Sequence, residues 1–216
     1  TAMAPFPLCP LCGAQYRETA DRRYHAQTVC CNACGPMLAY RHRGGGATGG
    51  EAVSQAAAAL LRGEIVAIKG IGGYHFAASP FDARAVADLR ALKGRERKPF
   101  AVMFENLSSL QEHCEVSKAE TELLESPARP IALLLRKPSA VCEGVYTTSP
   151  HLGAFLPYTP LQHLLLRKTG PLVMTSANAS SLPILKDDAE VLAFFQAHER
   201  LGGILLHDRA ILRRLD

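Results

Sequence analysis

The sequence predicts an α/β protein in two units, a small cysteine-rich module and then a larger domain built on a twisted, mixed sheet. Three observations predict this. Cys9, Cys12, Cys31 and Cys34 form two Cys-x-x-Cys pairs in a stretch poor in long aliphatic side chains. Residues 44–50 read Gly-Gly-Gly-Ala-Thr-Gly-Gly, a composition with no preference for helix or strand. From Glu51 onward, apolar strand-like runs alternate with helical periodicity. The expected division is a module over 1–43, a linker over 44–50 and the main domain over 51–216.

A module this short cannot bury enough surface to fold unaided. Its two pairs are separated by 18 residues (13–30), the arrangement in which two thiolate knuckles converge on one tetrahedral zinc. Four sulfur ligands leave no open position, so the expected zinc is structural. A redox-active Cys-x-x-Cys would need a thioredoxin-like β-α-β context that this stretch lacks. Cys30 does not keep the two-residue gap to Cys34 and is read as a bystander, and His25 as a surface or packed residue. Cys114 and Cys142 have no paired spacing and are read as small buried hydrophobes.

In the main domain, the Ala-rich amphipathic stretch Glu51–Arg62 reads as a helix stopped by Gly63. Ile65–Ile68 reads as a buried strand, Asp82–Leu92 as a helix and Phe100–Phe104 as a strand, giving a β-α-β order. Further strands are expected at Pro130–Leu135, Gly153–Leu156, Leu172–Thr175 and Gly203–Leu206, with a loop over Pro138–Pro150.

Composition narrows the function classes. A length of 216 residues accommodates one domain of roughly 150 residues and a smaller unit. Hydrophobic residues make up 48% and charged ones 20%, enough for a real core. No apolar run approaches the ~18 residues of a membrane-spanning helix. Seven cysteines, four of them in metal-type spacing, suit a reducing compartment, and cytoplasm is the expected location. The chain begins with Thr rather than Met, which suggests part of a longer protein. A net charge of +4, 6% aromatic residues and no tryptophan argue against a nucleic-acid partner.

Candidate binding residues gather at strand ends. Lys69-Gly-Ile-Gly72-Gly73-Tyr-His75 follows a predicted strand, where glycines expose backbone N–H groups to an anion. Lys93-Gly-Arg95-Glu-Arg-Lys98-Pro places four cations ahead of the next strand, a density that suits a polyphosphate. Pro171-Leu-Val-Met-Thr175-Ser176-Ala-Asn178-Ala-Ser180 is an apolar strand emptying into hydroxyls and an amide, at the carboxyl end where open α/β sheets bind ligands. His207-Asp-Arg209 is another charged strand end, with Arg209 a candidate phosphate clamp.

Taken in order, Cys9-Pro-Leu-Cys12, Tyr24-His-Ala-Gln27, Cys31-Asn-Ala-Cys34-Gly-Pro36, Lys69 to His75, Lys93-Gly-Arg95, Lys98-Pro99, Leu156-Pro-Tyr-Thr-Pro-Leu-Gln-His163 and Ser176-Ala-Asn178 resemble the HypF family of hydrogenase-maturation carbamoyltransferases. The resemblance covers nearly the whole chain. It corresponds to the second of that family's two zinc fingers and to a YrdC-like domain, a fold shared with threonylcarbamoyl-adenylate synthases. One departure is Ser180-Ser181-Leu182-Pro183, where the family usually has a glycine shortly before the proline.

The resemblance implies a reaction in which ATP and carbamate, the latter derived from carbamoyl phosphate, give carbamoyl-adenylate and pyrophosphate. Lys93, Arg95 and Lys98 would neutralise the triphosphate, and Ser176 and Asn178 would bind phosphate or ribose. Lys69 and His75 would face the carbamoyl end, and magnesium would bridge the phosphates, held mainly by substrate. The family then passes the carbamoyl group to an acceptor protein with a C-terminal cysteine, using another domain. It also carries an acylphosphatase portion, and it continues past Asp216 into an Asp-Ser sequence. Two other readings share parts of this pattern, a zinc-finger RNA binder and a threonylcarbamoyl-adenylate synthase for tRNA modification.

Overall fold

The computed structural model describes residues 2–27, 29–178 and 182–215. The chain enters helix α1 (Pro10–Arg17) directly after Cys9, with proline at the first turn, where its missing N–H costs nothing. After the second cysteine pair it forms strands β1 (Leu38–His42) and β2 (Gly45–Thr48) and helix α2 (Gly49–Leu61). Then follow β3 (Ile65–Lys69), β4 (Tyr74–Ala78), α3 (Ala83–Lys93), β5 (Ala101–Met103), α4 (Leu107–Gln111) and α5 (Lys118–Glu125). The remainder is β6 (Ala132–Leu135), α6 (Glu143–Tyr146), β7 (His151–Phe155), α7 (Pro160–Thr169), β8 (Leu172–Ser176), α8 (Asp188–Ala197) and β9 (Leu201–His207).

The strands form one mixed sheet in the order β2-β1-β9-β3-β4-β8-β5-β7-β6. Among these pairs β3–β9 and β5–β7 run parallel and the rest antiparallel. Strand β3 shows why the sheet is covered on both faces: Ile65 and Ala67 pack with α3 and α8, whereas Val66 and Ile68 pack with α2 and α7. A strand buried on both sides reads as a continuous apolar run, which is how it reads in the sequence.

Three sequence expectations differ from the structure. The stretch expected as a linker is strand β2, whose residues pair with β1 from Ala39↔Thr48 to His42↔Gly45, while β1 pairs with β9. The ladder supplies what the glycines lack, and the hairpin turn is anchored by Arg43. Its guanidinium donates to the carbonyls of Leu201 at 2.8 Å and of Phe195 and His198 at 2.9 Å, and lies 4.4 Å from the Phe195 ring centre. The β-α-β order also omitted β4, which pairs antiparallel with β3 from Lys69↔Tyr74 onward, and the expected loop over 138–150 contains α6. Among the described residues no helix is long and apolar enough to cross a membrane.

Helix ends are set by local chemistry. The Asp82 carboxylate accepts from the N–H groups of Arg84 and Ala85 at the start of α3. Gly94 closes that helix at φ 58°, a left-handed conformation that glycine adopts without strain. This stop turns the chain immediately after Lys93 and throws residues 95–99 across the sheet edge.

Candidate active site and metal centre

Strands β3, β8 and β9 end on one edge of the sheet, and the antiparallel strand β4 begins there. His75 pairs with Ser176, and Lys69 pairs with Tyr74. The turn after β8 and the cationic segment before β5 therefore meet. Lys93 is 4% exposed, and its ammonium donates to the carbonyls of Ser176 at 2.5 Å and Asn178 at 2.9 Å, and to the Asn178 side-chain Oδ1. Burial, and then the neighbouring Arg95 and Lys98, push its pKa down to about 8. The Ser176 hydroxyl donates to the same Asn178 Oδ1 at 2.9 Å.

Beside this knot lies a cavity of about 690 Å³ with Arg95, Lys98, His75, Thr175 and Ser176 in its wall. Arg95 donates to the Thr175 hydroxyl at 3.4 Å and sits 5.4 Å from the Phe100 ring centre. Burial holds its pKa below the ordinary guanidinium value. The floor is apolar, formed by Met103, Leu133, Phe155 and Met174. His75 is half-buried; desolvation first and Lys93 second push its pKa down to about 4, so the imidazole is neutral near pH 7. An apolar floor with a cationic rim can seat an anionic ligand that has one flat or aliphatic part.

A second network fills the edge between β3 and β9. Lys69, 3% exposed, meets Asp188 Oδ1 at 2.5 Å and donates to the His207 carbonyl at 2.8 Å. The Tyr74 hydroxyl donates to the same carboxylate oxygen at 2.7 Å. Lys69 thus has its charge neutralised inside the fold instead of standing free at the cavity. Burial and the nearby Lys69 lower the His207 pKa, and its Nδ1 has no partner among the described residues. Arg209 is exposed and borders a neighbouring cavity of about 610 Å³ that shares Tyr158 with the first.

The glycine loop departs from the expected anion cradle. It is the β3–β4 hairpin turn, closed by Gly70 N–H to the Gly73 carbonyl at 2.8 Å, and no helix follows it. A side chain on Gly72 would collide with Leu215, and one on Gly73 with Ile184, so these glycines permit close packing. Ser180 lies outside the described residues. Sequence reasoning missed Asp188, Arg129 and His151 and held Tyr158 only as part of the Leu156–His163 motif; Arg129, His151 and Tyr158 line the two cavities.

At the other end of the chain, the sulfur atoms of Cys9, Cys12, Cys31 and Cys34 all lie within 4.8 Å of one another. Cys31 Sγ is 3.8 Å from both Cys9 Sγ and Cys34 Sγ. A tetrahedron of Zn–S bonds of about 2.3 Å has edges near 3.8 Å, so the donor set fits a zinc ion. The N–H groups of Cys9 and Cys31 bring the Cys34 thiol down to about 6, and that of Ala33 lowers Cys31, which favours thiolates at these two; burial and then the neighbouring thiols push Cys12 up to about 12. From this cluster the chain reaches the end of β9, where Met37 N–H donates to Asp208 Oδ1 at 2.8 Å, and β1 then starts opposite His207 and runs away from the candidate site.

Fold and motifs define an open mixed-sheet domain joined to a cysteine finger. Residues 58–216 match the Sua5/YciO/YrdC family, described as telomere recombination, and residues 8–40 match the HypF finger. The chain belongs to the Sua5/YciO/YrdC family. Over its whole length it is similar to HypF proteins: it is 45% identical over 221 residues to the carbamoyltransferase HypF of Rhodobacter capsulatus, covering 100% of this chain and 29% of that protein. A crystal structure of full-length HypF in its phosphate- and nucleotide-bound form superposes with a TM-score of 0.91 at 41% identity, covering 100% of this chain and 28% of that one. The threonylcarbamoyl-AMP synthase of Bos taurus is 31% identical over 133 residues, covering 61% of this chain and 48% of that protein. The sequence thus spans under a third of the length of its HypF relatives.

Proposed function

We propose that this chain forms carbamoyl-adenylate from ATP and carbamate, the latter derived from carbamoyl phosphate, as one step of a carbamoyltransferase that makes the cyanide ligands of nickel-iron hydrogenase. The observation that carries the reading is the meeting of Arg95 and Lys98 with Thr175 and Ser176 in the wall of one cavity. A carbamate oxygen attacks the α-phosphorus, the bond to the β-phosphate bridging oxygen breaks, and pyrophosphate leaves. Arg95 and Lys98 neutralise charge that builds on the phosphates, as fixed cations in a partly desolvated site do. Ser176 and Asn178 present the turn that meets phosphate or ribose, and Lys93 holds that turn. Neutral His75 faces the carbamoyl end without adding a competing cation. Magnesium accompanies ATP, held mainly by phosphate oxygens.

Support comes from the HypF relatives, named carbamoyltransferases, and from the nucleotide in the solved relative. The cysteine cluster holds structural zinc, the location is cytoplasmic, and in the longer protein the product passes to an acceptor's C-terminal cysteine. The test is pyrophosphate release from MgATP with ammonium carbamate, with and without threonine. Release on carbamate alone supports the reading. The similarity to threonylcarbamoyl-AMP synthases favours a second reading, and strict threonine dependence would establish it instead.

A further inference from the structure

Arg90, in the last turn of α3, has no role in the binding scheme above, yet its guanidinium is spent entirely on main-chain carbonyls. Nε donates to Gly144 at 2.7 Å, Nη1 to Arg95 at 2.8 Å and Glu96 at 3.0 Å, and Nη2 to Lys98 at 3.4 Å. Three of these acceptors belong to the cationic segment and the fourth to α6. The group also lies 4.8 Å from the centre of the Phe100 ring, which Arg95 approaches at 5.4 Å. No carboxylate pairs with Arg90 among the described residues. A guanidinium is a rigid planar fork with five donors spread over three nitrogens, so one side chain fixes carbonyls set apart in one plane, a spread that the three donors of an ammonium, all on one atom, do not match.

The two segments that Arg90 joins are stitched at one further point, where Phe100 N–H donates to the Val145 carbonyl at 2.8 Å. The Thr147 hydroxyl donates to the Tyr146 carbonyl at 2.7 Å and lies 3.4 Å from the Arg97 carbonyl. Thr147 holds φ 57° and ψ −120°, an unfavourable conformation for a β-branched residue. Just beyond it, Ser149 and His151 line the same cavity as Arg95 and Lys98.

We propose that Arg90 is a positioning residue: from outside the cavity it fixes the 95–98 backbone against α6, so that Arg95 and Lys98 project toward the phosphates. The proposal rests on the polyphosphate reading of the cavity. Hydrogen exchange of amides 94–98 and binding of MgATP by calorimetry, measured for this chain and for Arg90→Lys and Arg90→Met, test it. Exchange reports the loop whether or not ATP binds, so absence of ATP binding by the parent chain would overturn the cavity reading while exchange still judges Arg90. Faster exchange confined to 94–98 in both variants, with MgATP affinity reduced about tenfold even when lysine keeps the charge, is the expected result. Unchanged exchange in Arg90→Met, full recovery by Arg90→Lys, or exchange rising throughout the sheet would overturn it.

Discussion

Lys93 and Asn178, 85 residues apart in sequence, are joined by an ammonium-to-carbonyl hydrogen bond of 2.9 Å, with a second from Lys93 to the Ser176 carbonyl at 2.5 Å. The lysine is therefore a strut for the turn after β8, and its contribution to an anionic ligand is made through that turn. Replacing it with methionine leaves two part-buried carbonyls without this donor. Lys93→Met should lose about 2 kcal/mol of stability and most nucleotide binding. Arginine should fail to rescue either, because the larger fork does not fit a group that is 4% exposed. Denaturant titration and calorimetry read both.

Because burial and neighbouring cations hold Lys93 near 8, a polyphosphate arriving beside Arg95 and Lys98 should favour its charged form. Binding of MgATP at pH 8 should therefore take up protons. Calorimetry in two buffers of different ionisation enthalpy measures this, and uptake should disappear at pH 6, where Lys93 is already charged before ATP binds.

His75 gives the opposite kind of signal. Its folded pKa of about 4 lies below the ordinary value of 6.5, so the unfolded chain takes up a proton at a pH where the folded one does not. Its stabilising contribution is full above 6.5 and is lost as pH falls toward 4. His75→Asn should flatten the fall in stability across that window, measured by thermal melting at several pH values.

Removing metal should act locally. A chelator, or Cys31→Ser, should abolish binding of one zinc per chain, measured by atomic absorption, and expose amides of residues 9–36 to exchange. Strands β1 and β2 should stay protected, since β9 and Arg43 hold them independently of the cysteines.

What was legible in the sequence follows from what each feature depends on. The cysteine cluster could be read because ligand spacing alone fixes it. Strand β3 could be read because burial on both faces leaves a continuous apolar run. Strand β2 could not, since Gly45–Thr48 has no side-chain signal and exists only through pairing with β1. The role of Lys69 was misread because its partner, Asp188, comes from a helix start 119 residues later (188 − 69), and no local pattern announces that pairing. The cationic segment was legible as charge, whereas Arg90, which orders it, looked like any other helix surface arginine.

The central claim is that the strand-end cavity binds ATP with its phosphates between the 95–98 segment and the turn at Ser176–Asn178. A crystal structure of this chain with magnesium and a non-hydrolysable ATP analogue tests it most directly. Phosphate oxygens within hydrogen-bond distance of Arg95 and Ser176, with Lys93 still on its carbonyls, is the predicted result. Phosphates bound at the glycine hairpin of residues 70–73, or on the far edge of the sheet, would contradict it.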